Sequence, residues 1–220
     1  MNTALAIKLI LIMMRKLARI LFMAVAALST CSPIASAQTA KSVVDKVLST
    51  HSAAKGVTAD YAVTSAGGTS RGSIVMDGTK YRILSDELKC WYDNTTLWTY
   101  SPSTGEVNVT APTADASTTN PYVAIIDLER CCNMTLTKTA ADYVVTFKPK
   151  TRKYADYSSI VLTISKSTYR IRKATFNGKS SANSFTVSIA KYADGKNFQA
   201  STFVFDKKYV PAGTYVNDLR

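Results

Sequence analysis

One histidine, His51, and four cysteines, Cys31, Cys90, Cys131 and Cys132, are the residues of this 220-residue sequence best suited to nucleophilic or metal chemistry. A Ser-His-acid or Cys-His arrangement would have to use His51 as its base. His51 falls one turn beyond Val47 on a helical stretch, and no nucleophile motif stands beside it. Metal ligation needs clustered ligands at set spacings, and a lone histidine with one adjacent Cys131-Cys132 pair offers none. There is no phosphate-cradling glycine loop, and no paired-carboxylate cluster stands out among the 15 Asp and Glu residues. The inventory predicts a protein that catalyses no reaction and needs neither cofactor nor metal. In an oxidising compartment Cys90 could pair with Cys131 or Cys132, and these three, the cysteines downstream of residue 37, cannot all pair within one chain.

The elements around these residues begin with an export signal. Lys8, Arg15, Lys16 and Arg19 precede the apolar run Ile20 to Leu28. Pro33 breaks that run, and Ala35-Ser36-Ala37 supplies small residues for a peptidase. The expected division is a signal peptide over 1–37, cleaved after Ala37, and one domain over 38–220. Met14 is an alternative start. Leu28-Ser29-Thr30-Cys31 offers a lipid-attachment alternative, although Thr30 fits that box less well than Ala-Ser-Ala fits cleavage. The apolar run is about half the roughly 20 residues of a spanning helix. Removing the signal takes away four cations and no acid, so the formal charge falls from +12 to +8. The cations are scattered through alternating strands, which argues for a solvated surface and against nucleic acid as a partner.

Helical spacing runs from Ala40 to about Ala54, with Val43, Val44, Val47 and Leu48 on one stripe and Gly56 after it. The period then changes to two. Tyr61 and Val63 alternate with polar residues; Gly72, Ile74 and Met76 face one way and Arg71, Ser73 and Val75 the other; Tyr81 and Ile83 continue the apolar face while Lys80 and Arg82 point away. Gly67-Gly68, Asp77-Gly78, Asp93-Asn94 and Pro102 to Gly105 read as turns. Thr113 to Thr119 reads as a loop. Asn120-Pro121 reads as an N-cap and first residue opening a second helix over Tyr122 to Arg130. Alternation resumes at Tyr143-Val145-Phe147, Ile160-Leu162-Ile164 and Phe185-Val187-Ile189. A mixed strand runs from Arg170 to Phe176, Asn177-Gly178 and Asp194-Gly195 read as turns, and Phe203 with Phe205 closes the series. About a dozen short strands of six or seven residues, joined by local turns, predict an antiparallel meander with one apolar face.

The stretch Arg71 to Pro112 carries a further pattern. Gly72 opens a strand, Asp77-Gly78 turns it, Tyr81-Arg82 returns, Asp93-Asn94 turns again, and Leu97-Trp98-Thr99-Tyr100 runs into Ser101-Pro102. In this order the pieces resemble the outer-membrane lipoprotein carriers of the LolA type. The signal, the first helix, the late meander and Asn217-Asp218-Leu219-Arg220 fall where that family has matching features. The resemblance implies a mostly β (α+β) fold: an incomplete antiparallel β-barrel of about a dozen strands with a few covering helices. It implies a periplasmic, monomeric carrier of lipoprotein acyl chains, working between an inner-membrane donor and an outer-membrane acceptor. A lipid- or lipoprotein-sensing domain of the same shape remains open, as does an anchored acceptor if Cys31 is lipidated. The candidate lipid-facing residues are Ile74, Met76, Tyr81, Ile83, Trp98, Tyr100, Val145, Phe147, Leu162, Ile164, Phe185 and Val187; the same residues would also serve as a packed core. One departure stands out. Where proteobacterial carriers have a Lys-Arg-Pro run whose arginine helps hold a lid closed, this sequence has Met76-Asp77-Gly78, with Arg71 and Arg82 the nearest cations.

Overall fold

The computed structural model describes residues 38–112 and 120–220. The expected signal segment, with Met14 and Cys31, and the loop Thr113 to Thr119 lie outside the described residues. Helix α1 (Ala40–Ala53) opens on a reciprocal cap: the Thr39 hydroxyl accepts from the Ser42 N–H, and the Ser42 hydroxyl accepts from the Thr39 N–H. Two donors that a helix start leaves unpaired are thereby satisfied. Its stripe Val43, Val44 and Val47 is fully buried.

Six strands follow: β1 (Val57–Ser65), β2 (Gly68–Asp77), β3 (Lys80–Ser85), β4 (Lys89–Tyr92), β5 (Leu97–Ser101) and β6 (Glu106–Thr110). Helix α2 (Pro121–Cys131) has Asn120 as its N-cap, with the side-chain oxygen accepting from the Tyr122 N–H, and proline in its first turn. Then come β7 (Cys132–Lys138), β8 (Asp142–Pro149), β9 (Tyr157–Ser165), β10 (Ile171–Gly178), β11 (Phe185–Ala193) and β12 (Tyr215–Asp218). The two runs of hairpins meet where β1 pairs with β11, giving one sheet in the order β12-β6-β5-β4-β3-β2-β1-β11-β10-β9-β8-β7. The sheet does not close, so the fold is an incomplete β-barrel with two covering helices among the described residues. The pairing is antiparallel throughout except for β12, which adds to β6 in parallel.

Several local expectations shift. The first strong hairpin turns on Gly78-Thr79, with Asp77 still paired to Lys80, because the positive φ falls on Gly78 at +60°. Asn177-Gly178 ends β10 rather than turning it, and the connection runs through a short 3₁₀ turn at Ser181–Asn183. Phe203 lies in another 3₁₀ turn (Ala200–Phe203), so Phe203 and Phe205 form no strand. Strands β1, β2, β8, β9, β10 and β11 run eight to ten residues, longer than expected. Cys90, Cys131 and Cys132 are all free, with Cys90 and Cys132 in separate cores, so the Cys90 pairing is not formed.

Directly opposed residues of an antiparallel pair share a face, so the registers sort the sheet into two. On the concave face, α1 and α2 bury Val145, Phe147, Ile160, Leu162 and Ile164 of β8 and β9. On the opposite face, the segment after β11 brings Phe205, Tyr209 and Val210 over Trp91, Trp98, Tyr100, Val107 and Val109. Between the helix-covered end and this strapped end, the concave face stays open.

Candidate functional site

The open stretch is an apolar cleft of about 300 Å³. Its floor is the concave face of four neighbouring strands. Ala59, Tyr61 and Val63 come from β1, Ile74 and Met76 from β2, Ile83 from β3, and Val187, Ile189 and Tyr192 from β11. Pro121 and Tyr122, the first turn of α2, stand over it, with Leu88 and Ile171 at its sides. The alternation of β1 and β2 explains most of this floor, since Ala59 opposes Ile74 and Val57 opposes Met76.

Gly72 is needed for the floor to form. It opposes Tyr61 across the β1–β2 pair, and a Cβ there would lie 2.6 Å from the Tyr61 ring and 2.7 Å from the Leu84 carbonyl. The missing side chain lets the Tyr61 ring lie flat across the strands. Burial pushes the Tyr61 phenol above the usual tyrosine range, so it is a neutral wall.

Tyr192 reaches the cleft by a break in the alternation. Phe185, Val187 and Ile189 point inward, and strict alternation would send Lys191 in after them. Instead β11 bulges. Thr58 opposes Ala193 while Asp60 opposes Ala190, leaving Lys191 and Tyr192 both opposite Ala59. Lys191 takes φ +46°, a left-handed conformation uncommon for a side-chain-bearing residue, and its ammonium turns out to Asp60 at 2.9 Å. Tyr192 is thereby aimed inward, where it lines the cleft together with Tyr122. Burial raises both phenols, and Tyr122, which also faces Tyr192, goes well above the usual range.

Behind Tyr122 stands His51 of α1, its ring stacked at 3.3 Å and 5° from parallel. Burial lowers its pKa from 6.5 to about 4, so the ring is neutral at pH 7. Its Nδ1 is buried without a hydrogen-bond partner. A neutral ring against another ring braces the α2 first turn. The far end of α2 is tied down by Asp127, which accepts from Tyr154 (2.8 Å), Arg130 (2.9 Å) and Lys153 (2.7 Å). These partners, Lys153 foremost, hold its carboxyl down at about 2. A larger groove of about 590 Å³ lies on the other side of Tyr122, but Lys55, Asp77, Thr79 and Asn120 break up its walls.

Of the residues singled out from sequence, Ile74, Met76, Ile83 and Val187 line the cleft. Tyr81 shares their face and is fully buried beside Val57, Met76 and Cys90. Val145, Phe147, Leu162 and Ile164 share it too, but lie under the helices as packed core. Phe185 is half-buried and stacked on Phe176 at 4.4 Å. Trp98 and Tyr100 sit on the opposite face, opposed to Val109 and Val107, so the Leu-Trp-x-Tyr stretch turns its aromatic rings away from the cleft. Arg82 is on that face as well, donating to the Tyr209 hydroxyl at 3.3 Å, and Arg71, opposite Ala62, shares its side. Neither arginine faces the cleft. Tyr61, Val63 and Ile189 were visible in the alternation; Tyr122 and Tyr192 were not marked by any periodicity.

Among the described residues no three His, Cys, Asp or Glu side chains are grouped to hold a metal, and no helix is long and apolar enough to cross a membrane. What the cleft offers is apolar area closed by neutral phenols.

A family described as outer membrane lipoprotein carrier protein LolA matches residues 28–179. No curated protein matches the sequence. Among solved structures, an uncharacterized conserved protein from Thermus thermophilus superposes with a TM-score of 0.58 at 9% identity, over 81% of this chain and 98% of that one. A LolA superfamily protein from Nitrosomonas europaea gives 0.40 at 12% identity, over 77% and 99%. The MucA/MucB complex of Pseudomonas aeruginosa gives 0.45 at 9% identity, over 78% and 62%. At these identities the Thermus protein is a likeness of fold.

Proposed function

The chain belongs to the outer membrane lipoprotein carrier protein LolA family, and we propose that its cleft binds the acyl chains of lipoproteins and carries them across the periplasm from the inner to the outer membrane. The observation that carries this reading is the apolar cleft of about 300 Å³ left open on the concave face. Burial of an acyl chain contributes about 0.8 kcal/mol per methylene, so area alone can hold a lipid without any reactive group. Ile74, Met76, Ile83 and Val187 are the lipid contacts in this reading, with Tyr61, Tyr122 and Tyr192 completing the walls. Residues 1–37 act as the cleaved signal that sends the protein to the periplasm. An inner-membrane donor loads it and an outer-membrane acceptor empties it.

The test is native mass spectrometry of the purified protein with calorimetric titration of a medium-chain fatty acid. Co-purified lipid, or saturable binding at one site, is expected. A protein that carries no lipid and takes up none would end the carrier reading. Tryptophan quenching is a poor readout here, because Trp91 and Trp98 lie on the face away from the cleft. N-terminal analysis of the exported protein separates a start at Gln38 from lipidation at Cys31.

A further inference from the structure

A second recess, of about 200 Å³, adjoins the cleft and shares Ile171, Ile189 and Tyr192 with it. Its character is opposite. Arg170, Arg172 and Lys191 line it together with the hydroxyl-bearing Ser165, Ser167 and Thr168. Two irregularities on neighbouring strands build it. The bulge in β11 displaces Lys191, and a register shift between Ile171 and Lys173 leaves Arg172 unpaired with β9. Tyr169, at the β9–β10 connection, is a further non-glycine residue in the left-handed region, at φ +53°. Strained backbone of this kind persists where surrounding structure holds it, and it gathers at binding sites.

Each cation has a carboxylate near it, yet donors remain. Arg170 meets Asp194 at 2.5 Å through one nitrogen, while its guanidinium lies 4.1 Å from the centre of the Tyr192 ring. A guanidinium has five N–H donors in a fixed fork. Arg172 lies 3.4 Å from Asp142 Oδ1, an atom without a hydrogen-bond partner, so this pair is held by charge alone. Lys191 reaches Asp60 at 2.9 Å on the outer side of the sheet.

An apolar cleft ending beside a recess lined by guanidinium and hydroxyl donors is complementary to one class of molecule. We infer that the cleft takes an amphiphile with an anionic head group, its acyl chain against Val187 and Ile189 and its carboxylate or phosphate in the recess by Arg170 and Arg172. The inference rests on the acyl-binding reading of the cleft and adds head-group chemistry to it. Fatty acids and anionic phospholipids both present an acyl chain ending in an anion.

The experiment compares decanoate with 1-decanol by calorimetric titration at pH 8, in the parent protein and in Arg170→Gln and Arg172→Gln. Charge-assisted hydrogen bonds support about a tenfold preference for decanoate. That preference should shrink toward unity in the variants. Equal binding of acid and alcohol to the parent overturns the head-group inference and leaves the cleft reading standing. A preference that survives both substitutions overturns it too, by moving the anion elsewhere. Binding of neither probe overturns the cleft reading itself, and this inference with it. A further arm with dihexanoyl phosphatidylglycerol tells the sources apart: tighter binding than decanoate assigns the recess to a phospholipid phosphate, weaker binding to a free carboxylate, and either result supports the anionic class.

Discussion

Replacing Val187 with threonine separates a wall that meets ligand from a wall that only supports the fold. The two side chains share a shape, and the change puts one hydroxyl on the cleft floor. Val187 is half-buried and faces the open cleft, so in the empty protein that hydroxyl stays in contact with water. The expected cost to folding is under about 1 kcal/mol. Once a chain lies on the floor, the hydroxyl is covered with no partner, at about 1–3 kcal/mol. At the middle of that range affinity falls roughly 30-fold. Phe147→Ala is the contrast. Phe147 is 0% exposed beneath both helices, and its truncation costs about 3–5 kcal/mol out of a total of roughly 5–15. For a domain of this size each kcal/mol lowers Tm by about 2–4 °C, so a fall on the order of 10 °C is expected. Titration calorimetry with decanoate and a thermal melt, run on both variants, give the two readouts. If Val187→Thr binds like the parent, or melts as low as Phe147→Ala, the division of the concave face into cleft and core is wrong.

Three further outcomes follow from the same geometry. Gly72→Ala drives a methyl toward the Tyr61 ring and the Leu84 carbonyl, so overpacking should cost about 1–3 kcal/mol, read as a lower urea midpoint; an unchanged midpoint would mean the two strands yield freely there. His51 has a folded pKa of about 4 against 6.5 unperturbed, so between those values the unfolded chain binds a proton that the folded chain does not. Stability should hold above pH 7 and fall as pH drops from about 6.5 toward 4, and His51→Phe should flatten Tm across that window. Asp127 is held down at about 2, so its contribution is present above pH 3.8 and lost as pH falls toward 2. Asp127→Asn should therefore cost about 1.5–3 kcal/mol at pH 7 in chemical denaturation and remove that acid-limb dependence.

Much of the fold was legible because it follows from local chemistry. The stripe Val43, Val44 and Val47 formed α1, and Asn120-Pro121 opened α2 as its capping chemistry requires. Asp93-Asn94 turned β4 into β5, with Asn94 at φ +83° and the Asp93 carboxylate accepting from the Thr95 and Thr96 N–H groups. The pairing of β1 with β11 was not legible, since it joins segments more than a hundred residues apart and no turn announces it. The face of each strand was also undetermined. Trp98-Thr99-Tyr100 alternates as cleanly as Tyr81-Arg82-Ile83, yet both faces of this sheet are covered somewhere. An apolar alternation therefore marks a buried face without saying which.

The same ambiguity explains where sequence reasoning stopped at the site. Along β11 the period-two pattern Phe185-Val187-Ile189 predicts that the next inward residue is Lys191, an ammonium at the mouth of an apolar cleft. A buried charge without a partner is costly, so either the strand ends there or the register breaks. It breaks, and the one extra residue exchanges a cation for a phenol on the cleft floor while turning the ammonium out to Asp60. The bulge thus reaches the recess as well, because the Tyr192 it turns inward carries the Arg170 guanidinium 4.1 Å from its ring centre, while Arg172 owes its place to the separate register shift in β10. This physical coupling is why a head-group preference and the identity of the cleft wall should change together when residues 190–193 are altered.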